Sequence, residues 1–486
     1  MLRVGDVAAM PLPLGGYGAC QVSGVSGGCT TVCALDWHSD ELPTLDELAS
    51  AAPLIFDHHS HSGRPDALMV DSADPPPPDF VWLGRQPVHP DTPPETNAFG
   101  VWESIPLSVA SQRRWDLHVP AAAKAAYRDA VHGPVMVDLG DVPRTMYATA
   151  SSLILPAHLT DVRWPALDAL PQLTSVRCSG PDRGLAEALA ARPIIQSLVW
   201  DDPPHTVDLS ATHLTRLTIS GTGPRLLRLP PGLIDLHVEG RPPAAVEAAE
   251  EGRWIHLSMA AFPDVVPNGL HGVRRLDLRG SGDLSLTALE ALTDLECLHI
   301  RWNHPHGSLL DDSRLSGFSR LHTLRLTDAY GVDASSLSRP PTSVRRLDVN
   351  GIRRSQSELL MARHRGTPVQ VIVWGAKPDA WLASNVDNPL RDWVDDDEEA
   401  GAAACEAYAS AVRAIGSLPA GDPATATAAQ PILRDLIEQL NTIDERSEII
   451  DTLRREEAAD AFFDLAQRAG VTDSEAADWF DEWRDF

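Results

Sequence analysis

The chain has no run of about 18 apolar residues, the length a helix needs to cross a hydrocarbon core. Its first residues also lack the charged-then-apolar pattern of a secretory leader, so a cytoplasmic protein is the expectation. Cysteine is scarce: 6 in 486 residues is too few for a disulfide framework. There is no phosphate-cradling glycine loop and no H-E-x-x-H pair, so the chemistries those motifs carry have no sequence support. Positive charge is short as well. With 40 Lys+Arg against 68 Asp+Glu, the formal net charge is -28, which argues against nucleic acid and anionic membrane as partners. The length exceeds what one core usually supports, and two or three units are expected.

What the chain does have is a short apolar pattern, L-x-x-L-x-L with conservative swaps. It reads as Leu214/Leu217/Ile219, Trp254/Leu257/Met259, Val273/Leu276/Leu278, Leu295/Leu298/Ile300, Leu321/Leu324/Leu326, Val344/Leu347/Val349 and Val369/Ile372/Trp374. About ten copies recur between Leu173 and Trp374 at intervals of roughly 19 to 26 residues. The last two apolar positions alternate with one residue between them, so they share one side of a short strand. One copy buries almost nothing, whereas stacked copies bury a continuous core.

This series resembles the leucine-rich repeats, and Leu229-Pro230-Pro231-Gly232-Leu233 and Arg339-Pro340-Pro341-Thr342-Ser343-Val344 resemble the short bacterial variety, in which prolines precede the strand. The resemblance implies a solenoid whose strands line a concave face. Of the asparagines that usually follow the strand, only Asn303 is at the right offset, so the turns must be held in other ways. The residues alternating with the buried positions point outward. They give a basic and histidine-rich stripe of Arg216, His237, His256, Arg275, Arg279, His299, Arg301, Arg325 and Arg346, with Asp235, Asp277 and Asp348 among them. These nine are the candidate partner-binding residues, and the partner expected is a protein with an acidic surface. The chain's own acids, 395–399, are the expected occupant when no partner is bound. The plainer alternative is mutual pairing of Arg275, Arg279 and Arg346 with Asp277 and Asp348, which leaves Arg301 and Arg325 without an evident acid.

Residues 1–115 read as a small, mostly β domain. Two short strands flank Gly15-Gly16, Thr44 and Glu47 bracket a short capped helix, and Pro78-Asp79-Phe80-Val81-Trp82-Leu83-Gly84 completes the unit. Gly5-Asp6, Pro11-Leu12, Tyr17, Gln21-Val22 and Pro78-Asp79-Phe80-x-x-Leu83-Gly84 resemble an all-β family of immunity proteins from bacterial polymorphic-toxin systems. That resemblance implies binding of another protein and no chemistry. Cys29, Cys33 and His38, with Cys20 nearby, suggest zinc but lack a clear fourth ligand at fixed spacing, so no metal is expected. Cys178 and Cys405 read as small buried residues. Asp57-His58-His59-Ser60-His61 reads as a polar loop, and its alternative is an acid/base or metal site.

The expected fold class is α+β. Residues 116–165 cap the solenoid or form an irregular first repeat, 166–376 form the solenoid, 377–400 an acidic linker, and 401–486 a helical bundle. Helices are expected over 405–415, 431–443, 445–469 and 474–483. Trp479, Phe480 and Trp483 share one face of the last, to anchor the bundle or to dock on a partner. Some bacterial repeat proteins with Pro-Pro-preceded strands carry a C-terminal ubiquitin-ligase domain with a Cys-x-Asp, but here Cys405 is followed by Glu406-Ala407. The expected function is non-enzymatic protein–protein interaction, in toxin immunity or bacterial conflict, with no cofactor and no catalytic residue. The alternative is a hydrolase or nuclease-like effector using the histidine-rich loop.

Overall fold

The computed structural model describes residues 2–58, 63–72, 74–337, 341–419 and 424–486. At the N-terminus, β1 (Asp6–Pro11), β2 (Tyr17–Ser26), β3 (Cys29–Ser39), β4 (Ala67–Asp71) and β5 (Val81–Arg85) pair antiparallel in the order β4-β3-β2-β1-β5. Strand alternation sorts the core onto two faces. Ala8, Met10, Cys20, Val32 and Ala34 pack under α1 (Ser104–His118) through Ile105 and Val109, while Val7, Ala19 and Leu35 pack against Leu48. Thr44 and Glu47 do exchange capping bonds: Glu47 Oε2 accepts from Thr44 N at 2.7 Å. The chain makes only turns there, not the expected helix, since a single turn cannot offset the cost of nucleation.

After α2 (Ala121–Asp129) and a hairpin of β6 (Pro134–Val137) with β7 (Arg144–Tyr147) comes the solenoid. Its elements are β8 (Ser152–Ile154), β9 (Ser175–Ser179), α3 (Leu185–Ala190), β10 (Ser197–Asp201), β11 (Thr206–Asp208), β12 (Arg216–Gly221), β13 (Leu226–Arg228) and β14 (Asp235–Gly240). They continue as β15 (Ala245–Glu247), β16 (His256–Met259), β17 (Arg275–Ser285), β18 (Cys297–Leu310), β19 (Thr323–Thr327), β20 (Arg346–Asn350), α4 (Arg354–His364) and β21 (Gln370–Trp374). Among the described residues, eleven strands form one parallel sheet running from β8 to β21, with β11, β13 and β15 forming a second, three-stranded sheet. The leucine-rich-repeat-like fold rests on this pairing. Leu198, Leu217, Leu236, Leu257, Leu276, Leu298, Leu324 and Leu347 stand in one row across adjacent strands, and each is at most 1% exposed.

Two copies differ from the expected register. In the last, Leu347 pairs with Val371 and Val349 with Val373, so Val371 and Val373 join the core, whereas Trp374 is 65% exposed. A slip of one residue turns every side chain of a strand over, and an alternation as continuous as Val369 to Trp374 offers two registers of similar hydrophobicity. At β16 the buried residue is Ile255, and Trp254 lies beside Arg253 with the guanidinium 5.1 Å from its ring. The turns are held without asparagine. Trp200 Nε1 donates to Gly180 O at 2.8 Å, Trp302 Nε1 donates to Gly282 O at 3.1 Å, and Asp202 Oδ1 accepts from Thr222 N at 3.1 Å. Asn303 instead accepts from Arg279 Nε at 3.1 Å.

Segment 377–400, expected as a linker, is folded. It carries α5 (Asp379–Asn385), Lys377 pairs with Asp395, Arg391 pairs with Asp328 at 2.7 Å, and Asp397 Oδ1 caps α6 (Glu398–Gly416) by accepting from Ala400 N at 2.8 Å. Beyond it, α7 (Ala424–Ser447), α8 (Thr452–Arg468) and α9 (Asp473–Trp483) pack with α6 around Leu433, Phe462 and Leu465. The helix expected over 445–469 divides because Glu448 takes a left-handed φ of 49° and Asp451 Oδ1 starts a new helix by accepting from Arg454 N at 2.9 Å. The helix expected from 431 begins at Ala424, with Pro431 inside it. Thr472 and Glu475 form the expected capping box. Phe480 and Trp483 are buried, with the ring of Phe480 5.4 Å from Phe462. Among the described residues no helix is long and apolar enough to cross a membrane.

Candidate binding surface on the concave face

The N-terminal domain lies against the strand starts of the solenoid, and carboxylates meet arginines along the contact. Asp79 pairs with Arg253 and, at 3.0 Å, with Arg274; Glu103 pairs with Arg275 at 3.2 Å; Asp71 pairs with Arg346 at 3.1 Å. The buried guanidinium of Arg114 on α1 donates to Pro193 O at 3.0 Å and His213 O at 3.4 Å, and burial pushes its proton affinity down to about 10. Next to it, Trp115 packs on Ile194. Acids of the N-terminal domain therefore reach the stripe at Arg275 and Arg346. The expected occupants lie elsewhere: Asp395 is held by Lys377, Asp396 pairs with Arg454 at 2.6 Å, and Asp397 caps α6.

A cavity of about 250 Å³ remains between Trp102 and Glu103 on one side and His256, Arg275, His299 and Arg325 on the other. Asp277 organises its floor. His256 Nε2 is 3.0 Å from Asp277 Oδ2, and His299 Nδ1 is 3.8 Å from Asp277 Oδ1. Burial pushes the Asp277 carboxyl up, but the hydrogen bond and charge of His256, with His299 and Arg275, outweigh it and hold the group below its ordinary range. His299 is pushed down by burial, which the neighbouring Asp277 opposes only in part. The Cys297 thiol at the cavity edge is pushed up to about 12 by burial, so it is protonated and a poor nucleophile.

Of the nine residues expected to bind a partner, Arg275 and Arg346 are taken by the N-terminal domain, and Arg346 also pairs with Asp348 at 2.9 Å. Arg325 meets Asp348 at 3.5 Å, Arg216 meets Asp235 at 3.3 Å, and His237 meets Glu239 at 3.1 Å. His256 and His299 serve the cavity floor. Arg279 and Arg301 stand directly beside each other on β17 and β18, both exposed, and among the described residues neither has an ion-paired acid. The expectation missed Arg253, Arg274, Glu296 and His322, which sit at or before the strand starts, outside the alternating positions. The doubled arginine of Val273-Arg274-Arg275 was a visible signal for one of them.

The structure separates two of the cysteines read from the sequence. Cys20 faces Ala34 across the ladder and Cys33 faces Gln21. Since Cys33 and Ala34 are consecutive, Cys20 and Cys33 point to opposite sides of the sheet. His58 is buried, its ring 4.7 Å from Phe56 and 6.2 Å from Trp115, with Nε2 3.5 Å from Ser111 Oγ. His59 and His61 lie outside the described residues.

No family model matches the sequence, and a comparison with curated proteins gives no match. Among solved structures, an internalin of Listeria monocytogenes, InlF, aligns with 53% of this chain and 88% of its own at 13% identity, with a TM-score of 0.23. TLR13, solved as a complex with ssRNA13, aligns with 48% of this chain and 50% of its own at 14% identity, again with a TM-score of 0.23. Superpositions this loose carry no argument about the site.

Proposed function

We infer that the protein is a non-enzymatic binding protein whose concave face receives an acidic surface of a partner protein. The observation that carries this reading is the pair Arg279 and Arg301. Like charges directly opposite on neighbouring strands destabilise a sheet; among the described residues neither arginine has a direct ion pair, and Asp328, held by Arg391, acts on Arg301 only from a distance. An incoming carboxylate would relieve that repulsion. Along the same face Arg274, Arg275 and Arg346 already bind carboxylates of the N-terminal domain, which supports an acidic protein surface as the matching ligand class. The resemblance of residues 1–115 to immunity proteins favours a toxin of bacterial conflict as that partner.

The test is quantitative capture from the native cell by immobilised wild type and by the double variant Arg279→Glu/Arg301→Glu. The reading requires a protein that wild type retains and the variant loses, at equal melting temperature. Equal retention of every captured protein by both would refute it.

A further inference from the structure

The long strand β18 runs past the repeat register and carries His304 and His306 toward the loop after α5, where Asp387 lies. His304 Nδ1 is 2.8 Å from Asp387 Oδ1, and one ligand atom from each of His304, His306 and Asp387 falls within 4.8 Å of the others. Both ring nitrogens of His306 are closed to solvent, and neither has a hydrogen-bond partner among the described residues. Buried polar atoms are nearly always paired, because an unmet donor or acceptor forfeits its interaction with water. The ring packs 5.3 Å from that of Tyr330.

The geometry points to a divalent transition-metal site of the zinc class, held by His304, His306 and Asp387, that ties the solenoid to the C-terminal segment. Two imidazoles and a carboxylate, with the remaining position left to water, are a donor set that zinc accepts. Calcium and magnesium prefer all-oxygen ligands. Zinc holds its ligands at about 2.0–2.2 Å, so the three donors must draw inward. His304 and Asp387, 57% and 63% exposed, have room to do so.

Arg391, the cation stacked on Tyr330, is offset by Asp328 at 2.7 Å. A second group, Glu103, Glu296 and His322, is equally close-set. There Arg275 lies 3.2 Å from Glu103 and Arg274 3.6 Å from Glu296, so a metal would have to compete with two guanidiniums. The expectation of no metal rests on Cys29, Cys33 and His38, whereas the set at His304 joins residues far apart in sequence.

The test uses the full chain, stripped with a chelator and titrated with zinc sulfate by calorimetry, with melting followed in parallel. Wild type should bind one zinc per chain and melt at a higher temperature with it. His304→Ala and Asp387→Asn, at exposed positions, should fold normally and each weaken zinc binding at least about tenfold, while Glu103→Gln leaves it unchanged. Absence of saturable binding in wild type, or wild-type affinity retained in both His304→Ala and Asp387→Asn, would overturn the proposal.

Discussion

Glu103, the residue before α1 in the N-terminal domain, places its Oε2 3.2 Å from Nη2 of Arg275 in the solenoid. With Asp71 and Asp79, it makes the N-terminal domain an acidic occupant of the solenoid's basic strand starts. Both side chains are about 30% exposed, so the pair is shielded enough to matter without being a fully buried ion pair.

Arg275→Glu should loosen the docked domain, at a cost of about 1–3 kcal/mol, and raise hydrogen exchange in the first turn of α1. Adding Glu103→Arg should restore much of the protection. If exchange in α1 is the same in wild type and both variants, the pair does not hold the domain.

Glu296 gives a pH signature. Burial, opposed by Arg274 and reinforced by Glu103 and Asp79, pushes its carboxyl up from 4.5 to about 6. The folded state then holds the proton more tightly than the unfolded chain. This contribution is fully present below pH 4.5 and is lost as pH rises through about 6. Above that, the wild type carries a penalty of roughly 2 kcal/mol. Glu296→Gln should therefore raise the urea midpoint at pH 7.5, and the gap should close as the pH falls toward 4.5. A gap independent of pH would show that Glu296 titrates normally.

The register makes an opposed pair of predictions. Leu276, Leu298, Leu324 and Leu347 are at most 1% exposed, and Leu→Ala at any of them should cost about 2–5 kcal/mol. Trp374→Ser, at the edge strand, should cost less than about 0.5 kcal/mol because the indole lies outside the core. Denaturant midpoints decide both. A large loss at Trp374 would mean that the last strand takes the other register.

The solenoid was legible because its signal is local: each Leu-x-x-Leu-x-Leu fixes which side chains are buried, and the copies confirm one another. Where local signal fails, so does the reading. Val369 to Trp374 is apolar at nearly every position, so periodicity could not choose between Val371/Val373 and Ile372/Trp374. In the stripe, Arg346 pairs with Asp348 as the alternation suggests, but Arg275 turns to Glu103 and Arg346 also reaches Asp71. Those acids are separated from their partners by more than a hundred residues, and no pattern in one chain encodes that match. Asp387 is likewise remote in the chain from His304 and His306, which hid that group.

The salt dependence of binding at Arg279 and Arg301 tests the central claim most directly. Affinity for the captured partner would be measured for wild type and Arg279→Glu/Arg301→Glu at low and at physiological ionic strength. Charge pairing across the concave face predicts that the double variant binds at least about tenfold more weakly at low salt and that its remaining affinity changes less with salt than that of wild type. Equal affinities and equal salt slopes would contradict the account and move the binding surface away from the concave face.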